Sequence, residues 1–298
     1  MYPCKLTITL RLPILVVLAG SLLGIRPATA QVDLSGDWQS RQIEDAEYRG
    51  QPGARPGESL GVPYNPAGIL KAQSWDPAMI GAPERMCMIY APDLIFSEPN
   101  AIAQFAKDVD PFSNRIVAWR VRHNFQSSEM TYWMDGRPHP DEYAPHTYQG
   151  FSTAQWEGNG LTVTTTHLKE AQLIRNGTDR SDQATITEHW IRHGKYLTDT
   201  IVVYDPVWLA EPYVKSWTFM ENPDAHMMGY RCRSQDEVGQ WKPGTVLHFL
   251  PGKNPFLDET AAKIGVPKEA VVGGAETIYP EYLLKLKTLP KPMSKASK

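Results

Sequence analysis

The chain has few cysteines and no excess of basic charge, and each shortage excludes a class of protein. Its 298 residues include 3 Cys, with 30 Lys and Arg against 33 Asp and Glu. A nucleic-acid binder usually carries a strong basic excess, so we expect no nucleic-acid partner. The cysteines form no Cys-x-x-Cys pair, which disfavours a zinc ribbon. A 42% apolar content at net charge −3 is typical of a globular rather than a disordered chain.

Several catalytic motifs and long apolar runs are missing too. The sequence contains no Gly-x-Gly-x-x-Gly, no P-loop and no Gly-x-Ser-x-Gly. Their absence disfavours a dinucleotide enzyme, an NTPase and a serine hydrolase built on a nucleophile elbow. The apolar run at 12–25 is too short for a comfortable membrane span, and no later stretch is long and apolar enough to cross a bilayer, so no membrane span is predicted.

Residues 1–30 have the organisation of a secretory signal peptide. Lys5 and Arg11 come first, an apolar run follows at 12–25, and Ala28-Thr29-Ala30 gives a small-residue cleavage site. This pattern predicts a periplasmic or secreted protein, cleaved near Ala30. The alternative is an uncleaved anchor.

Two cysteines, Cys87 and Cys232, would remain after cleavage. In an exported chain such a pair predicts a disulfide, and two separate buried thiols are the alternative.

The rest of the chain, residues 31–298, indicates one mainly β domain. Segments of alternating polarity are separated by hairpin signals such as Asp135-Gly136 and His193-Gly194. We expect an antiparallel barrel of lipocalin-like type, since no alternation of strand and helix suggests a parallel sheet. The predicted strands are 32–39, 88–96, 115–121, 130–134, 150–156, 161–167, 184–191, 196–204, 214–219 and 228–232.

Two regions depart from the strand pattern. Residues 41–85 are rich in Gly, Pro and charge, which predicts a long irregular excursion with a short helix near 67–73. Residues 252–298 predict a small helical cap and a basic tail. One helix is expected over 254–264, because Gly265 and Pro267 provide its stop signal.

Three residues are candidates for acid–base catalysis. His167 alternates with Leu161, Val163 and Thr165, so on a strand it would end an apolar, inward face near the barrel mouth. Glu188 lies on a strand at 187–193, and Asp205, like Glu211, is a possible partner that orients an imidazole. A histidine satisfied in the core and a strand-ending acid–proline pair are the structural alternatives.

Further side chains are candidates for binding. His139 and His146 lie in a Pro-rich loop and, with His167, would make a three-histidine cluster suited to zinc or iron, although the sequence requires no cofactor. The candidate ligand contacts are Arg137, His139, His146, Trp156 and Arg175. An arginine pairs well with an acidic group, so an anionic ligand is expected, and an ordinary charged loop is the alternative for the segment around Arg175.

Two resemblances follow from these residues. Gly36-Asp37-Trp38 on the first strand resembles the opening of calycin barrels, in which the tryptophan plugs one end and the opposite mouth takes a small apolar ligand. More extensively, the chain resembles a family of uncharacterised exported bacterial proteins with a lipocalin-like β fold. The matching stretches are 134–140, 150–153, 156–158, 161–170, 175–177, 187–193, 254–259 and 273–282.

Three functions remain open at this point. The first is a periplasmic lipocalin-like protein that binds a small, partly apolar ligand with an acidic group. The second is an acid–base lyase, isomerase or hydrolase that uses the histidine cluster, with or without a metal. The third is a protein of the cell envelope that docks through residues 41–85.

Overall fold

The computed structural model describes residues 32–41, 59–76, 89–97, 100–124, 128–174, 177–227 and 248–289. Several predictions lie outside these residues. They are the signal peptide at 1–30, the disulfide between Cys87 and Cys232, the strand at 228–232, the ligand contact Arg175 and the basic tail after residue 289.

Nine strands form a closed barrel, which confirms the predicted fold class. In chain order they are β1 (Gly36–Ser40), β2 (Ile102–Val109), β3 (Ile116–His123), β4 (Glu129–Trp133), β5 (Phe151–Glu157), β6 (Gly160–Thr166), β9 (Thr185–His193), β10 (Tyr196–Tyr204) and β11 (Tyr213–Glu221). Around the barrel the order is β1-β11-β10-β9-β6-β5-β4-β3-β2. The two remaining strands, β7 (Ala171–Ile174) and β8 (Thr178–Arg180), form a separate ribbon.

One pair of barrel strands runs parallel, and the other pairs in the barrel are antiparallel. Tyr132 and Trp133 of β4 pair with Ser152 and Thr153 of β5 in the same direction. The connection at 134–150 crosses the outside of the barrel before β5 begins, because parallel neighbours cannot be joined by a tight hairpin.

The two ends of the barrel are built differently. The short connections β2–β3, β5–β6 and β9–β10 share one end with the start of β1, which we name the hairpin end. The fully buried Trp38 donates from its indole to the carbonyl of Leu34 at 2.9 Å, and the guanidinium of Arg192 lies 4.9 Å from its ring. This placement is consistent with the calycin resemblance.

The other end, which we name the capped end, carries most of the irregular structure. Helix α1 (Pro66–Gln73) begins at Asn65, whose side chain accepts from the Gly68 N–H, and it confirms the short helix expected near 67–73. The backbone before it bonds to the β10–β11 connection, with the Asn65 N–H donating to the Trp208 carbonyl at 2.9 Å.

The C-terminal region is helical, as predicted. It contains α2 (Pro255–Ile264), α3 (Lys268–Val271) and α4 (Pro280–Thr288). Asn254 caps the N-terminus of helix α2, and Gly265 caps its C-terminus in the left-handed conformation, at φ 75°, that favours glycine. The Asn254 amide also donates to the carbonyl of Trp75 at 2.7 Å, so this region packs against the segment after α1.

Some strand predictions were wrong. Residues 89–97 contain turns and a 3-10 helix at Ile95–Ser97 instead of a strand. Strand β2 was not predicted, nor was the β7–β8 ribbon, which lies where a polar connection was expected. The other predicted strands within the described residues are present with slightly shifted ends.

Candidate functional site

The plug, as we name residues 89–97, fills part of the barrel from the capped end. The ring of Phe96 lies 4.7 Å from that of His123, 5.0 Å from Phe219 and 5.5 Å from Trp217. Phe96 is fully buried, as are the tryptophans around it. The plug therefore occupies space that an open-mouthed calycin barrel would offer to a ligand.

A buried ion pair ties the plug to the β7–β8 ribbon. The guanidinium Nε of Arg180 lies 3.0 Å from Asp93 Oδ2, and neither side chain is exposed. Arg180 also donates to the carbonyls of Lys169 at 2.7 Å and Ser181 at 3.2 Å. Such a pair holds its partners firmly, since losing one member would leave the other charge buried alone.

Acidic side chains lie deeper inside the barrel. Asp199 on β10 faces Trp190 of β9 on one side and Trp217 of β11 on the other. Glu188 lies on β9 two residues before Trp190, and so nearer the capped end. It pairs with Ile201 of β10, which pairs in turn with Lys215 of β11. Glu188 accepts from the Tyr132 hydroxyl at 3.1 Å, while both carboxylate oxygens of Asp199 lack a partner among the described residues.

Burial controls the protonation of these groups. It raises the pKa of Glu188 to about 8, against which the Tyr132 hydrogen bond acts only partly. Burial also raises the pKa of Asp199 well above its usual range, and the neighbouring Glu188 adds to the effect. Lys215 donates to the Leu173 carbonyl at 2.7 Å, and burial lowers its pKa to about 8.

A separate cavity of about 340 Å³ lies at the capped end, which we name the end pocket. The end of α1, the plug and the β7–β8 ribbon surround it, and its walls are mainly apolar and aromatic. Its lining includes Lys71, Trp75, Tyr90, Tyr148, Glu170 and Asp179. Trp75 is 8% exposed, and its indole N–H has no hydrogen-bond partner among the described residues.

An ion-pair group forms the polar side of the end pocket. The Lys71 ammonium lies 2.6 Å from Glu170 Oε1 and 3.7 Å from Asp179 Oδ2. Burial raises the pKa of Asp179 to about 6, Lys71 opposes the shift, and Glu170 adds to it. Asp179 therefore changes charge near neutral pH, where a carboxyl group is useful for acid–base chemistry.

The structure brings the three predicted histidines together, but on the outer wall of the barrel. His139 bonds to the hydroxyls of Thr166 and Thr153, both at 2.8 Å, and the ring of His146 lies 5.4 Å from that of His167. His167 follows the end of β6 with φ 57°, so its side chain leaves the strand alternation that we used to place it inside. Its Nε2 lies 2.7 Å from the Asp141 carbonyl oxygen.

Both ring nitrogens of His139 and His167, and Nδ1 of His146, already have protein partners, so these five nitrogens are not free to bind the predicted zinc or iron. Among the described residues, no group of three or more His, Cys, Asp or Glu side chains is arranged to hold a metal ion. Glu188 is enclosed in the barrel whereas His167 is outside, so these two of the three predicted catalytic residues do not meet.

The remaining predicted residues are dispersed. Arg137 pairs with Asp135 at 2.5 Å and its guanidinium lies 3.5 Å from the Trp133 ring, on the surface. Trp156 is on β5 beside the hairpin end, away from the end pocket. Asp205 accepts from the Ser181 N–H and hydroxyl, both at 2.7 Å, and thereby braces the β10–β11 connection.

The residues that form the end pocket were not among the predicted site residues. Asp179 lay in a segment interpreted as a loop, Lys71 and Trp75 in the excursion, and Tyr90 in a wrongly predicted strand. Asp199 did carry a signal, because it alternates with Leu197 and Ile201 on a face that is otherwise apolar.

Within the described residues, no helix combines the length and hydrophobicity that crossing a membrane requires. Comparisons of the chain with protein-family models, with curated proteins and with solved structures gave no match, so the resemblance to an exported family stays a prediction.

Proposed function

We propose that this protein binds a small, partly apolar molecule in the end pocket. The cavity itself carries the proposal, because about 340 Å³ with aromatic walls and a few polar groups is typical of a small-molecule site. Its position also supports the proposal. The pocket lies outside the plugged interior, between the plug and the β7–β8 ribbon, so a ligand can enter without displacing Phe96 from the core.

The first experiment is native mass spectrometry of protein purified from the periplasm, beside the same sample denatured. A small-molecule mass seen only in the native spectrum supports binding and identifies the compound to test. The denatured mass tests the proposed export as well, because cleavage near Ala30 leaves a chain that begins at Gln31. A mass that includes residues 1–30 contradicts that cleavage.

A variant that fills the pocket tests the location. Ile89 is 37% exposed and lines the pocket, so Ile89→Trp should block it without disturbing the core. Val109→Trp is the matched control, because Val109 is a similarly exposed residue at the hairpin end. We expect the ligand to be lost from Ile89→Trp and retained by Val109→Trp. Equal occupancy in the two variants would refute the location.

A second candidate function is acid–base catalysis on the bound molecule. The observation that favours it is Asp179, whose pKa of about 6 places it between its acid and base forms near neutrality. This candidate moves the chemistry from His167 to Asp179. We expect Asp179→Asn to abolish turnover of a substrate and His167→Ala to leave it unchanged. The opposite result would restore the outer histidine cluster as the catalytic group.

A further inference from the structure

We infer that the ligand of the end pocket carries a positively charged amine beside its apolar body. The inference rests on the proposed function, since it concerns what the same pocket selects. It also reverses the anionic ligand that the arginines led us to expect. Three observations support it, namely the charges that line the pocket, the existing partners of its lysine and the aromatic walls.

Negative charge predominates on the polar side of the pocket. Among the described lining residues, Glu170 and Asp179 are acidic, Lys71 is the one Lys or Arg, and His248 is the one histidine. Two cations lie next to this lining. Arg180 follows Asp179 in β8 but is paired with Asp93, and the Lys169 ammonium lies 5.3 Å from the centroid of the Tyr148 ring.

The lysine of the pocket is already occupied. The Lys71 ammonium is in hydrogen-bond contact with Glu170 at 2.6 Å, and Asp179 lies on its other side at 3.7 Å. An anionic ligand that bound a remaining donor of Lys71 would lie beside the carboxylates of Glu170 and Asp179, and both would repel it. A ligand amine meets no such repulsion at Asp179, because the carboxylate of Asp179 is beyond hydrogen-bond distance of Lys71 and keeps acceptor capacity.

The rest of the wall suits an amine attached to an apolar body. Trp75, Tyr90 and Tyr148 line the pocket, and aromatic faces attract cations as well as apolar groups. The chemical class is thus an aryl-alkyl amine.

The test compares three probes with the same body and different heads. They are 2-phenylethylamine, 2-phenylethanol and 3-phenylpropionate, titrated into the mature protein by calorimetry at pH 7.5. We expect the amine to bind at least about tenfold more tightly than the alcohol, and the carboxylate to bind most weakly. Affinity for the amine should fall as the pH drops through about 6, where Asp179 takes up a proton. Affinity for the alcohol should not change.

Two variants assign the effect to the pocket acids. Asp179→Asn should remove most of the preference for the amine over the alcohol, and Glu170→Gln, at a more exposed position, provides the same test if the first variant does not fold. Asp258→Asn is the matched control, because Asp258 lies on α2 and pairs with Lys268 at the surface. The preference should be unchanged there.

The outcomes distinguish a failure of the amine preference from a failure of ligand binding in the end pocket. Tighter binding of the carboxylate, or equal binding of amine and alcohol, overturns the amine inference while the pocket remains a binding site. An unchanged preference in both acid variants also overturns it. If no probe binds and the native spectrum shows no extra mass, the proposed function fails, and the inference fails with it.

Discussion

The acidic pair inside the barrel should make the protein less stable as the pH rises, and Glu188→Gln should remove much of that dependence. Glu188 and Asp199 are fully buried, and burial raises the pKa of both. A glutamine has nearly the shape of the protonated glutamic acid and keeps an oxygen that accepts from the Tyr132 hydroxyl. The substitution therefore removes the titration of Glu188 while preserving the packing around it.

The magnitude follows from the two protonation states. Above about pH 4.5 the unfolded chain releases the proton of Glu188, whereas the folded protein keeps it up to about pH 8. The contribution of Glu188 to the free energy of unfolding is therefore fully present below pH 4.5 and is lost as the pH rises from about 4.5 to about 8. Each retained proton contributes a slope of about −1.4 kcal/mol per pH unit, which amounts to roughly 3 kcal/mol between pH 4.5 and 7. Asp199 adds to the slope in the same direction.

Urea unfolding at pH 5, 6, 7 and 8, followed by tryptophan fluorescence, measures this effect. Glu188→Gln should gain stability over the native chain as the pH rises, reaching about 3 kcal/mol at pH 7. Glu129→Gln is the control, because its hydrogen bonds to Arg122 and Arg120 lower the pKa of Glu129, and the opposite sign is expected. A Glu188→Gln protein whose stability changes with pH as steeply as the native chain would refute the reasoning.

Three further substitutions test the packing at the capped end. Phe96→Ala should destabilise the protein by about 3–5 kcal/mol in urea unfolding, because it removes the plug ring from the core; a loss below 1 kcal/mol would contradict a packed plug. Asp93→Asn should cost about 3–5 kcal/mol, since it leaves Arg180 buried without its partner, and a neutral result would show that water reaches this pair. Gly177→Ala should lower the melting temperature, because Gly177 has φ 92° and an added Cβ would collide with the Trp75 ring. An unchanged melting temperature would contradict that close approach.

Alternation along the strands predicted much of the barrel. Residues 161–166 alternate in the sequence, and the structure buries Leu161, Val163 and Thr165 as expected. The same rule failed for His167, because the chain leaves β6 in a left-handed conformation that polarity alone does not reveal. The ends of α2 were predictable because the signals are local, since Asn254 and Gly265 cap the helix that they flank.

The site could not be predicted in this way because it is assembled from distant segments. Lys71 and Glu170 are 99 positions apart, and Arg180 and Asp93 are 87 apart. Each pair depends on where the plug and the β7–β8 ribbon lie relative to the barrel, which no periodicity encodes. A search for isolated acids on apolar faces would have found Asp199, but not the pocket.

The pairing of β1 has a consequence for the order in which the chain assembles. β1 bonds to β2 on one edge and to β11 on the other, where Trp38 faces Glu221, 183 positions later. Hairpins such as β9–β10 need only neighbouring residues, so they can form while synthesis is still under way. The ring itself stays open until β11 arrives, and until then β1 has an unpaired edge available to other chains. Truncation before residue 213 should therefore give a protein that associates through β1, rather than a smaller barrel.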